Sequence, residues 1–93
     1  MYFTVFGKEN CPYCVRAKEL LQSKMLEFGY YDVQADKFTL DHMNDRVTVA
    51  TGGPAKTVPQ IFVDSEYIGG YTDLVEFFNK PEGIDPSDYL GEL

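Results

Sequence analysis

Apolar residues along the chain change period in a regular order. Residues 2–6 are all aromatic or β-branched and run into Gly7, which predicts a first strand. From Cys11 the period lengthens: Cys14, Ala17, Leu21 and Phe28 follow at offsets of three, four and seven, the stripe of a helix. Leu20 and Met25 widen that stripe, and Gly29 is the expected stop. Cys14 then faces inward with Ala17 and Leu21, and Cys11 sits at the exposed helix end. Residues 30–33 read as a second strand, parallel to the first because a helical crossover joins them.

Leu40, Met43, Val47 and Ala50 repeat at helical spacing within residues 39–51, and Gly52-Gly53-Pro54 ends that helix. Residues 61–63 and 67–68 flank the polar Asp64-Ser65-Glu66, a hairpin pattern. A third helix is predicted over residues 72–78. Thr72 or Asp73 is its expected cap, Glu76 follows Asp73 by three, and Leu74, Phe77 and Phe78 form its buried face. Pro81 stops it. The order β-α-β-α-β-β-α predicts an α/β protein: one four-stranded mixed sheet with helices on both faces.

Composition narrows the setting. The 93 residues, 44% apolar, suffice for one domain with its own core, expected over residues 1–80. Residues 81–93 carry Glu82, Asp85, Asp88 and Glu92 and read as an acidic, solubilising C-terminal tail, with Tyr89 and Leu90 available to dock on the body. No apolar run approaches the roughly 18 residues of a membrane span. The N-terminus lacks the basic start and long apolar stretch of a secretory signal, so a cytoplasmic, reducing compartment is expected. A net charge of −7 argues against nucleic acid as a partner. The charge is uneven. Lys8, Arg16, Lys18 and Lys24 outweigh Glu9 and Glu19 in residues 1–24, a net +2, and the remainder is −9. Solvated helix faces account for most of this; only Lys8, three residues before Cys11, gains weight from its position.

The chemistry lies in Cys11-Pro12-Tyr13-Cys14. Placed between a strand and a helix, Cys11 meets the unpaired N–H groups and positive end of the first helical turn, both of which favour a thiolate. Pro12 fits the first helical position, where it has no hydrogen bond to lose. Cys14, nearly one turn on, can reach back to Cys11 and close a disulfide ring. An ordinary thiol near pKa 8.5 is about 3% ionised at neutral pH, and one near ~5 is almost fully ionised. That thirtyfold gain is nearly cancelled by lower nucleophilicity, since a Brønsted slope of ~0.4–0.5 acts over ~3.5 units. The surviving advantage is as a leaving group: Cys11 is rapidly expelled from a mixed disulfide. A structural zinc site needs four ligands, and the chain offers two cysteines and His42. A structural disulfide closing so small a loop adds little stability. The redox dithiol outweighs both. His42, with no motif around it, reads as a solvated helix residue.

Thr57-Val58-Pro59 precedes the hairpin. A proline is tolerated at a strand start. X–Pro bonds are cis in only about 5–6% of cases, so these residues leave both isomers open. A cis bond would turn the Val58 backbone toward the dithiol, ready to pair with an extended peptide.

Cys-Pro-Tyr-Cys-Val-Arg-Ala-Lys at 11–18, Thr-Val-Pro-Gln-Ile-Phe-Val-Asp at 57–64 and Ile-Gly-Gly-Tyr-Thr-Asp at 68–73 together resemble the dithiol glutaredoxins, within the thioredoxin-like fold. The chain is particularly similar to small bacterial members that use glutathione to reduce ribonucleotide reductase. Residues 30–56 match weakly, and the tail after Pro81 runs past the usual family end. The resemblance implies a cis Pro59 and a glutathione groove. There Lys8 would meet the glycyl carboxylate, Tyr13 would flank the cysteinyl–glycine part, and Thr57 and Val58 would present backbone to the cysteinyl unit. Gly70, Tyr71, Thr72 and Asp73 would receive the γ-glutamyl end. Arg46 or Lys56 would add a second cation, and the weak match leaves that choice open.

The expected activity is that of a monomeric, glutathione-dependent thiol–disulfide oxidoreductase without a metal, serving cell redox homeostasis. Cys11 is its nucleophile and Cys14 its resolving thiol, with a potential near −200 to −230 mV. One rival is a thioredoxin-like donor served by a flavoprotein reductase, but thioredoxins usually carry Trp-Cys-Gly-Pro-Cys and this chain has no Trp. Another is an iron–sulfur cluster carrier using Cys11 and glutathione, against which Pro12 argues by resemblance.

Overall fold

The computed structural model describes residues 1–79. The proposed tail, residues 81–93, lies outside them. The elements are β1 (Phe3–Gly7), α1 (Pro12–Ser23), β2 (Phe28–Asp32), α2 (Lys37–Thr51), β3 (Gln60–Val63), β4 (Glu66–Gly69) and α3 (Tyr71–Asn79). They form one sheet in the order β2-β1-β3-β4. β1 runs parallel to β2, with Val5 opposite Tyr30, and antiparallel to β3, with Val5 opposite Ile61. β3 and β4 form the expected hairpin, turning through Asp64 at φ 52°. No described helix is long and apolar enough to cross a membrane.

Alternation along β1 assigns the two faces. Phe3 and Val5, with Ile61 and Val63, pack under α1 and α3 through Ala17, Leu21 and Leu74. Phe6 and Phe62 pack on the other face, under Met43 and Val47 of α2 and against Val33. The central strands β1 and β3 are buried along their whole length, as mostly apolar strands between two helical layers should be, with Thr4 and Gln60 as their buried polar residues. The dithiol leads into α1 directly after β1, so the core that holds β1 and α1 together also holds the redox site.

Several boundaries differ from the expected ones. Helix α1 ends at Ser23, six residues before Gly29. There Met25 takes a left-handed φ of 58°, its N–H donates to the Gln22 carbonyl, and the Leu26 N–H donates to the Leu21 carbonyl. This is a Schellman stop made by a methionine, with Leu26 packing into the core beside Leu21. Gly29 instead lies in β2, where a Cβ would strike the Tyr2 and Tyr31 hydroxyls. Strand β2 accordingly starts at Phe28 and not at Tyr30.

Helix α2 begins at Lys37, capped by Asp36, whose carboxylate accepts the Thr39 N–H at 2.7 Å. Of its expected stripe only Met43 and Val47 are buried; Leu40 and Ala50 are exposed, because one helix covers only a narrow seam of this sheet face. At α3 neither Thr72 nor Asp73 is the cap. The Gly70 carbonyl accepts the first helical bond from Leu74, and the Asp73 carboxylate, three residues on, reaches back to accept the Gly70 N–H at 2.9 Å. That is the return half of a capping box. Asp73→Ala is therefore expected to lower stability by about 0.5–1 kcal/mol, which a thermal melt would read as a drop of roughly 2–8 °C. An unchanged midpoint would show that the bond contributes nothing.

Candidate active site

Cys11 is the N-cap of α1, with extended φ and ψ of −123° and 99°, and Pro12 follows at the first helical position. Its carbonyl accepts from Cys14 N–H at 3.0 Å and Val15 N–H at 3.1 Å. Its sulfur accepts from the same Cys14 N–H at 3.1 Å, the place an N-cap oxygen would take. Cys11 and Cys14 are joined as a disulfide with Cα atoms 5.2 Å apart.

Cys14 is fully buried beside Ala17, as the stripe predicts. Cys11 is not at an exposed end: it is only 7% exposed. Ring closure turns its sulfur in toward Cys14, and the Val58 carbonyl oxygen lies 3.8 Å from that sulfur on the other side. The Val58–Pro59 bond is cis. Pro59 is buried, Val58 half-buried and Thr57 exposed.

Around this disulfide the structure brings several of the sequence-selected residues together. Lys8, Thr57 and Val58 line one open cleft of about 300 Å³ with Lys56, Gln34 and Leu40. Tyr13, half exposed, stacks on Tyr71 with ring centroids 5.9 Å apart and planes 28° from parallel. The Arg16 guanidinium lies 5.2 Å from the Tyr13 ring centroid. Gly70 approaches the same loop: a Cβ there would sit 3.6 Å from the Pro59 carbonyl oxygen. Tyr71, Thr72 and Asp73 form the first turn of α3, whose N–H groups have no preceding helical carbonyl to meet.

Of the two candidate second cations, only one lines this cleft among the described residues. Lys56 shares it with Lys8. Arg46 does not: its guanidinium lies over the Phe62 ring at 4.0 Å and lines a separate cavity with Phe6, Tyr31, Phe38 and His42. His42 is exposed and meets Phe6 edge-on at 5.9 Å. Gln34 was absent from the sequence-selected residues. It lies just after β2, in the weakly matching stretch, and no motif marks it. Among the described residues no group of His, Cys, Asp and Glu is placed to hold a metal ion.

The glutaredoxin family model matches residues 3–68, which span the dithiol, the cis-proline loop and the hairpin. The chain belongs to the glutaredoxin family. It is 42% identical to glutaredoxin 1 of Escherichia coli over 85 residues, covering 86% of this chain and 95% of that protein. The solution structure of reduced E. coli glutaredoxin superposes with a TM-score of 0.67 at 37% identity, over 87% of this chain and 96% of that one. A buckwheat glutaredoxin–glutathione complex superposes with a TM-score of 0.69 at 26% identity, over 83% of this chain and 67% of that one. This glutaredoxin is thus a thiol–disulfide oxidoreductase with the thioredoxin-like α/β fold, and Cys11–Cys14 fits the family's redox motif.

Proposed function

We propose that this glutaredoxin draws its electrons from glutathione, seated in the cleft beside Cys11, and passes them to protein disulfides and glutathione mixed disulfides. The carrying observation is the disulfide at the N-terminus of α1, flanked by the Val58 backbone and by a cleft bearing Lys8 and Lys56. Glutathione has two carboxylates and a thiol between them. Lys8 and Lys56 supply cations for the glycyl end, and the Val58 carbonyl stands beside the sulfur. The first-turn N–H groups of Tyr71, Thr72 and Asp73 suit the γ-glutamyl carboxylate. Tyr13, stacked on Tyr71, walls the side between them, and Gly70 and Pro59 form the floor.

The electron balance is as follows. The Cys11 thiolate attacks a substrate disulfide, forms a new S–S bond and expels one substrate thiolate. Cys14 then attacks the Cys11 sulfur, releases the second substrate thiolate and closes the Cys11–Cys14 bond. One glutathione thiolate reopens that bond, becoming attached to Cys11 and leaving Cys14 as a thiol. A second attacks the attached glutathione, releasing glutathione disulfide and the Cys11 thiolate. In that last step Cys11 is the leaving group, and the helix end stabilises its departing sulfur.

Ribonucleotide reductase is proposed as one protein substrate, the cytoplasm as the compartment, and a monomer as the working form. The test offers two electron sources in parallel: glutathione with glutathione reductase, and thioredoxin reductase alone. Turnover only with the first is expected. Turnover only with the second would replace this reading by a thioredoxin-like one. An absorbance spectrum of freshly purified protein separates both from an iron–sulfur carrier, which would show visible charge-transfer bands.

A further inference from the structure

Tyr30 lies on β2, opposite Val5, with its ring on the α1 side of the sheet. Its phenol extends along the face toward the end of β1, where the next inward position is Gly7. A Cβ on Gly7 would strike the Tyr30 hydroxyl and lie 2.8 Å from the ring carbon that bears it. Glycine at position 7 is thus the slot through which the phenol passes. Beyond the slot the hydroxyl donates to the Lys8 carbonyl at 3.2 Å. The Lys18 ammonium, on α1, covers the ring 4.1 Å from its centroid. The residue so tethered begins the short segment that leaves β1 and delivers Cys11. That segment contains Asn10 in a left-handed conformation, φ 58°.

We propose that Tyr30 is a positioning residue: its hydroxyl fixes the Lys8 backbone, and with it the direction in which the Lys8 side chain enters the cleft it shares with Lys56 and Val58. The proposal rests on the reading of that cleft as the glutathione site. A lysine carries its charge on a long flexible stem, so its usefulness for one carboxylate depends on where the stem starts. A neutral hydrogen bond at the root of the stem supplies that constraint. Burial holds the Tyr30 pKa above its ordinary value, so the hydroxyl remains a donor throughout the working pH range.

Tyr30→Phe keeps the ring, its core packing and the Lys18 contact, and removes only the donor. The expected result is a rise in KM for a glutathione mixed disulfide of roughly twofold to fivefold, no larger than that of Lys8→Ala, with kcat nearly unchanged. Single-turnover attack of the reduced variant on an uncharged aromatic disulfide should match the wild type. In a Lys8→Ala background the same Tyr30→Phe change should add nothing, because the side chain it positions is gone. Two failures are distinguishable. If Lys8→Ala alone leaves KM unchanged, the cleft reading falls. If Lys8→Ala raises KM and Tyr30→Phe does not, or if the two effects simply add, Tyr30 does not act through Lys8. A Tyr30→Phe variant that is slow on both substrates would assign the hydroxyl to the fold at large and overturn the proposal.

Discussion

Cys11→Ser is expected to lose every activity, while Cys14→Ser keeps turnover of glutathione mixed disulfides and stalls on protein disulfides. The asymmetry begins with position. Cys11 is the N-cap, its sulfur accepts the Cys14 N–H, and it lies on the Val58 side of the ring. Cys14 is fully buried in the inward stripe with Ala17 and Leu21. Cys11 keeps 7% of its surface exposed in the closed ring, so an incoming sulfur meets it first; Cys14 cannot be reached without displacing the core. A serine at 11 has no accessible anionic form at neutral pH, so the loss there should be complete within the limits of the assay. A serine at 14 leaves the Cys11 thiolate and the proposed cleft in place. Free glutathione can still clear glutathione from Cys11, but a bulky protein held on Cys11 has no internal thiol to release it. Non-reducing mass spectrometry of Cys14→Ser with a protein disulfide should show the covalent complex at the summed mass. Full protein-disulfide turnover by Cys14→Ser, or any turnover by Cys11→Ser, would reverse the assignment of nucleophile and resolver.

The parts of this protein that were legible from residue order share one property: a local pattern and the tertiary environment agree. β1 and β3 are mostly apolar and lie buried between two helical layers, and the 14–17–21 stripe is buried as its spacing requires. Legibility fails where a distant contact decides a local choice. Phe28 continues the α1 stripe by offset, yet the helix has already ended, because Met25 accepts a left-handed φ to bring Leu26 back onto Leu21. Gly29 looks like a helix stop and is instead a gap for two tyrosine hydroxyls. Asp73 looks like a cap and acts from three residues inside the helix. In the site, Cys11, Cys14, Val58 and Pro59 carry motifs and were found from them. That Lys56 and Gln34 line the cleft with Lys8, while Arg46 lies over Phe62, depends on how α2 and the loops around it pack on the sheet. No spacing rule contains that information.

Lys8→Glu combined with Lys56→Glu is expected to lower kcat/KM for glutathione by roughly tenfold to a hundredfold. Both side chains are exposed at one cleft, so each alone is worth little: an exposed ion pair contributes on the order of 0.2–1 kcal/mol. Reversal replaces two attractions by two repulsions, which is why the double variant is the informative one. Reversal at Lys8 also puts an anion three residues from Cys11, which should raise the Cys11 thiol pKa in the reduced protein. Salt supplies an internal check. Screening lengths shrink from about 10 Å at 0.1 M to about 3 Å at 1 M, so the gap between variant and wild type should narrow as salt is added. Arg46→Glu, which makes the same charge change as Lys8→Glu alone, is the control. Arg46 packs over Phe62 and lines a different cavity, so its reversal should leave the KM for glutathione within about twofold of wild type and act on the melting midpoint instead. Steady-state kinetics at two salt concentrations, with thiol titration by ultraviolet absorbance, measures all of these. Equal losses in the Arg46 and Lys8 variants would mean that glutathione responds to the overall field of an acidic protein. No loss in the double variant would remove the cleft from the glutathione site.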